Sequence, residues 1–432
     1  MHKDKDAQRR EALVKRIAQT LAEVRVEPNL YLSYTSVELL LGLDASFGDK
    51  HSSPQRKLAE RSISVTPLAD FMLEAISGVI WKGGASEREG PEWRLDQFPE
   101  FSDLSAAAER LADDFFRIPY RYQITIPLSE DLAFFVQTLA TAEWPKSFQF
   151  VAFTDAFKAA HPLPDYATEF TTILSGALNW SWPSSGGIAF TVAGYVGKIK
   201  NYAPQIEAFE RLQAIFGLAW AYQLLGFNSR KNSISQFPFK LHEERYSIHK
   251  NEDDALSFVG FGNVSPEILR MLRQLTFYDE ARSAHLDQFQ KRILHFGEIL
   301  RETFVQSAEI GNRVIRAAKW LCDSLCAENE TLAFVQATIA MEIMLSERND
   351  KGNKELSLGA IYKNRCAYAL GKNHKERDEL MSQVAEIYDI RSNIVHSGFQ
   401  VLSNRELYLL AALQILVARL LQKEVQMIRL AT

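Results

Sequence analysis

Apolar positions recur at helical spacing over most of the chain. Near its start Leu13, Ile17, Leu21 and Val24 fall three or four residues apart, which gathers them on one face of a helix. The surrounding MHKDKDAQRREALVKRIAQTLAEV carries basic residues but no continuous apolar run, so it predicts an amphipathic helix and not a secretion signal. Up to about residue 115 such stripes alternate with polar loops, most clearly WKGGASEREGPEW between residues 81 and 93. The texture changes between Arg117 and Val196. There RIPYRYQITIPL, SFQFVAFT and GIAFTVAGYV are β-branched and aromatic runs divided by Pro, Gly and Ser, the signature of a small sheet. Helical spacing returns in QIEAFERLQAIFGLAWAYQLLGF, with Gly226 as its expected end. Residues 229–262 read as mixed, with NSRKNSISQFPF as the linker. A long helix is then predicted in FYDEARSAHLDQFQKRILHFGEILRETF, which lines up Phe289, Ile293, Phe296 and Leu300.

From about Gly311 onward the pattern is one helix after another: NRVIRAAKWLCDSLC, ETLAFVQATIAMEIMLS, SLGAIYKNRCAYAL, KERDELMSQVAEIYDIRSNIVH and LYLLAALQILVARLLQKEV. Ser357 is the expected N-cap of the third and Gly371 its stop, Gly398 follows the fourth, and Ser403 with Glu406 has capping-box spacing ahead of the fifth. The predicted organisation is a mainly helical region 1–116, a mixed α/β region 117–262, a helical connector 263–310 and a helical domain 311–432. The fold class is predominantly α, with a small β-containing middle region.

A chain of 432 residues exceeds one core, and two or three domains are expected. A net charge of -5 argues against a strongly basic nucleic-acid coat and confines any RNA contact to a local cleft. Cys322, Cys326 and Cys366 lack the spacing of a disulfide framework or a zinc site and suit a reducing cytoplasm. The run LYLLAALQILVARLL falls short of the ~20 residues that cross a bilayer and contains Arg419. It is a core or interface helix, and no membrane partner is expected.

Several constellations resemble chemistry without completing it. HEERYSIH opens like a metalloprotease helix, yet His249 follows His242 by seven residues where zinc geometry needs four. His285 and His295 share a helix face but are about 15 Å apart along it. GFGNVS lacks the third glycine of a dinucleotide loop and SSGG the lysine of a P-loop, so both are expected to be turns. Cys322 and Cys326, one helical turn apart, read as core residues. NWSWPSSGG reads as an aromatic anchor under a loop, with a stacking platform for a base or peptide as the alternative. No cofactor and no metal are expected.

The stretch YDIRSNIVHSGF, residues 388–399, is different. Leu380, Val384, Ile387 and Ile394 define an apolar stripe, and four residues on from Ile387 lies Arg391, a guanidinium on a face expected to be buried. It needs a partner, since an unpaired buried charge costs several kcal/mol. Glu342, within AMEIML, is the candidate. His396 is five residues further, about 140° around the helix from Arg391. The two converge only if the last turn loosens before Gly398 or if two copies of the helix meet across a two-fold axis. An imidazole at such a helix end can act as general acid or base. On spacing alone the structural reading is the commoner one, with the arginine paired to a carboxylate and the histidine capping carbonyls.

From about Arg313 to Leu421 the chain resembles the HEPN superfamily and, within it, the Apea-like branch. YDIRSNIVHSG stands in place of that branch's Y-x-x-R-S-x-I-V-H-G signature, preceded by IAMEIML, similar to its A-L-E helix, and YKNRCAYAL, similar to its arginine-containing third helix. The resemblance implies an all-helical bundle that dimerises and acts as a metal-independent endoribonuclease. Arg391 and His396 would be its catalytic pair, Tyr388 and Asp389 supporting residues, and Glu342 and Arg365 the charged positions of the second and third helices. Ser392 stands where the superfamily often has Asn, Asp or His, and Asn393 follows, so either is a candidate to orient the pair. Ser397 separates His396 from Gly398 where the branch has His-Gly. The implied role is a phage-defence or abortive-infection toxin in the cytoplasm, cutting RNA, with tRNA one candidate. Residues 1–300 would bind a phage-derived or cellular trigger. The contrasting reading is a non-catalytic HEPN scaffold that holds a partner.

Overall fold

The computed structural model describes residues 2–28, 31–47, 54–83, 92–164, 182–197, 203–228, 245–252, 255–277, 286–305, 310–346, 358–398 and 401–431. These are predominantly helical, with a small sheet region. The chain divides into two compact units, one of Met1–Tyr122, Val192–Glu207 and Lys250–Asp254, the other of Gln123–Thr191, Ala208–His249 and Ala255–Thr432. The helices after residue 311 share the second unit with most of the sheet. Among the described residues no single helix is long and apolar enough to cross a membrane.

In the first unit α1 (His2–Glu23), α2 (Tyr34–Ala45), α3 (Pro54–Ser62), α4 (Pro67–Gly83) and α5 (Leu104–Phe116) accompany a two-stranded ribbon, β1 (Arg25–Val26) with β2 (Trp93–Arg94). The α1 stripe is buried at all four predicted positions, packed on α5 and α2. Of the loop predicted at 81–93, residues 84–91 lie outside the described ones. A buried ion pair ties α2, α3 and α4 together. Arg56 is fully buried and donates to Asp44 Oδ2 at 2.8 Å, to the Asp44 and Phe47 carbonyls at 2.8 Å, and to Glu60 at 2.9 Å. Asp44 Oδ1 accepts from the Leu68 and Ala69 amides in the first turn of α4. Every group of the pair therefore has a partner, the condition under which a buried charge is tolerated.

The three predicted runs are strands: β3 (Tyr120–Pro127), β4 (Phe148–Val151) and β5 (Gly187–Gly194). They join β7 (Arg245–Glu252) and β8 (Ala255–Asn263) in a five-stranded sheet of order β4-β5-β3-β7-β8. β4 and β5 are antiparallel, Phe148 opposite Phe190 and Val151 opposite Gly187. Short helices α6 (Ala133–Ala140) and α7 (Asp155–Ala160) lie between strands in sequence. Three expectations are corrected here. GFGNVS is no turn, because Gly260 and Gly262 lie inside β8. The helix expected to run to Gly226 is α8 (Ala203–Ala221), which stops where Gln223 turns to φ 55°. Gly226 then belongs to β6 (Leu225–Phe227), paired with β9 (Leu275–Phe277). Phe277, expected in the long helix, is thus a strand residue. SSGG is a turn as expected, with Gly186 at φ 89°. The linker NSRKNSISQFPF lies, except for Asn228, outside the described residues.

The rest of the second unit is helical: α9 (Pro266–Gln274), α10 (Leu286–Val305), α11 (Ile310–Leu325), α12 (Glu330–Leu345), α13 (Leu358–Leu370), α14 (His374–Ser397) and α15 (Asn404–Ala431). The α10 stripe Phe289, Ile293, Phe296 and Leu300 is buried. α11 packs on α12 and α15, α13 along α14, and α12 also contacts α14 and α15. Caps fix the ends. Asn373 accepts from the Glu376 amide at 2.9 Å while Glu376 reaches back to the Lys372 amide, and Ser403 and Glu406 exchange backbone-to-side-chain bonds at 2.7 and 3.4 Å. α13 gives way to Gly371 as predicted, and its expected cap Ser357 lies outside the described residues. Cys322, Cys326 and Cys366 are free and buried.

Candidate functional site on α12, α13 and α14

The 24 residues of α14 begin at the Asn373 cap and end where Gly398 adopts a left-handed φ of 63°, a conformation that favours glycine. Its core stripe is Leu380, Val384, Ile387, Ile390 and Ile394. Ile390 takes the position that the four-residue step assigned to Arg391. Arg391 sits at the edge of the stripe, its side chain 35% exposed, with Nε 3.9 Å from Glu342 Oε1 on α12. The predicted carboxylate is therefore the one the arginine faces, at a distance of charge attraction and not of a direct hydrogen bond.

Glu342 is held from a second side. The Tyr388 hydroxyl, one turn before Arg391, donates to the same Oε1 at 3.2 Å. Tyr388 stacks on Tyr362 of α13, ring centroids 5.9 Å apart and planes 27° from parallel. Burial, and then the negative charge of Glu342, push the Tyr388 phenol far above its ordinary range. It remains a donor, and its work here is to aim the carboxylate. Tyr362 was not among the sequence-derived candidates. The signal it carries is its place three residues before Arg365, one helical turn away on the same face.

The other candidates fall into two groups. Arg365 donates to the Leu345 carbonyl at 2.7 Å and so caps the C-terminal end of α12. Asp389, Ser392, Asn393 and His396 are exposed on α14. The last turn does not loosen, since α14 is regular through Ser397. Within one chain Arg391 and His396 therefore stay on different faces. Large apolar side chains are exposed on α14, just after it and along α15: Val395, Val401, Tyr408 and Ile415 are 49%, 75%, 69% and 55% exposed.

Positions noted elsewhere in the sequence are structural or lie outside the described residues. His242, His285 and Trp180 are in the latter class. His295 is exposed beside Glu298 and Arg429. Trp182 is buried against Phe153, centroids 4.6 Å apart, an anchor as expected. Among the described residues no group of three or more His, Cys, Asp or Glu side chains is placed to hold a metal ion. What fold and site define is a predominantly helical protein with a half-buried Arg–Glu–Tyr cluster and a helix that ends in an exposed histidine. No protein-family model, no curated protein and no solved structure matches the chain.

Proposed function

We propose that this protein is a metal-independent endoribonuclease of HEPN type, working as a homodimer in which α14 of each copy supplies Arg391 and His396. The observation that carries the reading is that Arg391 is oriented by a carboxylate which Tyr388 itself positions, while His396 lies free at the end of the same helix beside an apolar surface. A purely structural arginine would close on its carboxylate and be covered. The Arg391 side chain stays 35% exposed.

RNA brings its own nucleophile, the 2′-hydroxyl, so the protein must remove that proton, protonate the leaving 5′-oxygen and stabilise the extra charge on phosphorus. Two histidines, His396 from each copy, divide the proton transfers. The planar guanidinium of Arg391 donates to the non-bridging oxygens as charge builds. Because the two residues diverge along one helix, the second copy completes the site, and Val395, Val401, Tyr408 and Ile415 are the apolar surface on which it docks. The products are a 2′,3′-cyclic phosphate and a 5′-hydroxyl. In this reading the chain is a cytoplasmic phage-defence or abortive-infection toxin whose remaining elements bind a phage-derived or cellular trigger.

The test is cleavage of total RNA and tRNA by wild type and His396→Ala with a metal chelator present, followed by end-group analysis. Cyclic-phosphate ends that fall by ~10² to 10⁴ in rate in the variant support the reading. Cleavage that survives the substitution, or stops on chelation, overturns it. Complete inactivity of the wild type, with growth unaffected by expression, favours the non-catalytic scaffold.

A further inference from the structure

Away from that site, on the sheet, two buried histidines face each other. His161 follows α7 and His249 sits on β7; their ring centroids are 5.3 Å apart and the planes nearly perpendicular at 85°. His249 is fully buried and His161 is 6% exposed. Each ring has one nitrogen on a backbone carbonyl: His161 Nδ1 on Phe157 at 2.9 Å, His249 Nε2 on Pro162 at 3.1 Å. A carbonyl oxygen only accepts, so in each neutral ring that nitrogen carries the proton. The other two, His161 Nε2 and His249 Nδ1, are then bare lone pairs, and both are buried without a partner.

Two buried lone pairs on rings in contact are unfavourable unless something accepts them. Burial lowers both pKa values, that of His249 to about 4, with the neighbouring His161 adding to the effect, so protonation does not relieve the pair. Among the described residues the two rings meet aromatic neighbours: Phe157 stacks on His161 at 3.8 Å, Trp182 lies parallel to His249 at 6.5 Å, and Phe258 meets its edge at 5.6 Å. Ser247, two residues before His249 and so on the same side of β7, adds another buried hydroxyl without a partner.

A ring nitrogen that donates to a backbone carbonyl while its opposite nitrogen is bare is the arrangement of a metal-bound histidine. An ion joined to one nitrogen of each ring by bonds of about 2 Å holds the centroids roughly 5 to 6 Å apart. The observed separation falls in that range. Charge decides which ion. Among the described residues no carboxylate or thiolate joins the group, and the penalty for burying an ion rises with the square of its charge, which favours a monovalent cation over a dication. Imidazole suits copper, and the aromatic faces favour a cation further. We propose that His161 and His249 together bind a single Cu⁺ ion, with the Ser247 hydroxyl or the Trp182 ring as the third contact.

The experiment is anaerobic titration of the full chain with Cu⁺ against a chromogenic chelator, with X-ray absorption at the copper edge. The expected result is one tightly held ion per chain with imidazole nitrogen in its first shell, weakened by at least ~100-fold in His161→Gln and His249→Gln. The rival sink is the sulfur group of Cys322, whose Sγ is 3.3 Å from Met271 Sδ. A sulfur-only shell, uptake unchanged in both variants, or no uptake by wild type each overturn the proposal. Should the variants unfold by circular dichroism, the wild-type absorption spectrum decides alone.

Discussion

Replacing Glu342 with glutamine separates a positioning role from a structural one. The amide keeps the volume and still offers Oε1 to the Tyr388 hydroxyl, so the packing of Tyr388 on Tyr362 survives. The lost charge faces Arg391 at 3.9 Å, with side chains 35% and 27% exposed. A partly solvated pair at that distance contributes ~0 to 1 kcal/mol, and weakening a charge-assisted hydrogen bond to a neutral one adds about 1 kcal/mol. The stability cost is therefore about 1 to 2 kcal/mol, a melting shift of a few degrees. In the proposed reaction, catalysis is more exposed to the change. Without the anionic partner the guanidinium swings freely, and a ~1 Å misplacement costs on the order of 10²-fold in rate. The measurement is kcat and KM on a defined RNA together with Tm. The expected outcome is a ~10²-fold fall in kcat with KM little changed, recovered in part by Glu342→Asp, which keeps the charge one methylene further back. A variant that loses more than about 3 kcal/mol of stability and retains kcat per folded molecule would refute the positioning role.

Removing one partner of the buried pair in the first unit, Asp44→Ala, leaves Arg56 charged in the interior and strips the α4 amides of their acceptor. The expected loss is ~3 to 5 kcal/mol in urea unfolding, and Arg56→Met in the same background restores much of it. At Gly217 of α8 an added Cβ meets the Ala318 carbonyl oxygen of α11 at 2.0 Å, so Gly217→Ala forces the helices apart and costs about 1 to 3 kcal/mol or more by the same measurement. Ile415→Lys, on an exposed face of α15, is expected to leave the folding free energy within roughly 0.5 kcal/mol of wild type while abolishing the proposed dimerisation in sedimentation, and RNA cleavage with it.

The helices were legible because their stripes and caps are strong. Leu13 to Val24, Phe289 to Leu300 and the Ser403–Glu406 box all sit as their spacing requires. β7 was not, because its alternation rests on two apolar residues, Tyr246 and Ile248, and the polar Ser247 and His249 alternating with them, which the structure buries as well, read as solvent-facing. The end of α8 was misjudged for a different reason. A glycine is the usual left-handed residue after a helix, but here Gln223 takes that conformation and Gly226 passes into a strand. At the candidate site, the pairing of Arg391 with Glu342 followed from the need to compensate a half-buried charge. The stacking of Tyr362 beneath Tyr388 did not, since it depends on how α13 lies along α14, which no local pattern encodes.

The same geometry bears on how such an enzyme is restrained. Helical periodicity fixes the angle between Arg391 and His396, and α14 is regular to its last residue, so no rotamer change within one copy unites them. Under the proposed mechanism, activity depends on the encounter of two copies. The exposed side chains proposed for that encounter, Val395, Val401, Tyr408 and Ile415, are branched or aromatic, and apolar contacts of this kind associate by area and not by long-range attraction. Such an interface responds steeply to local concentration and to anything that holds two copies together. A ligand that only bridges the remaining parts of two chains would raise the effective concentration of α14 for α14 and switch the site on, without touching a catalytic residue.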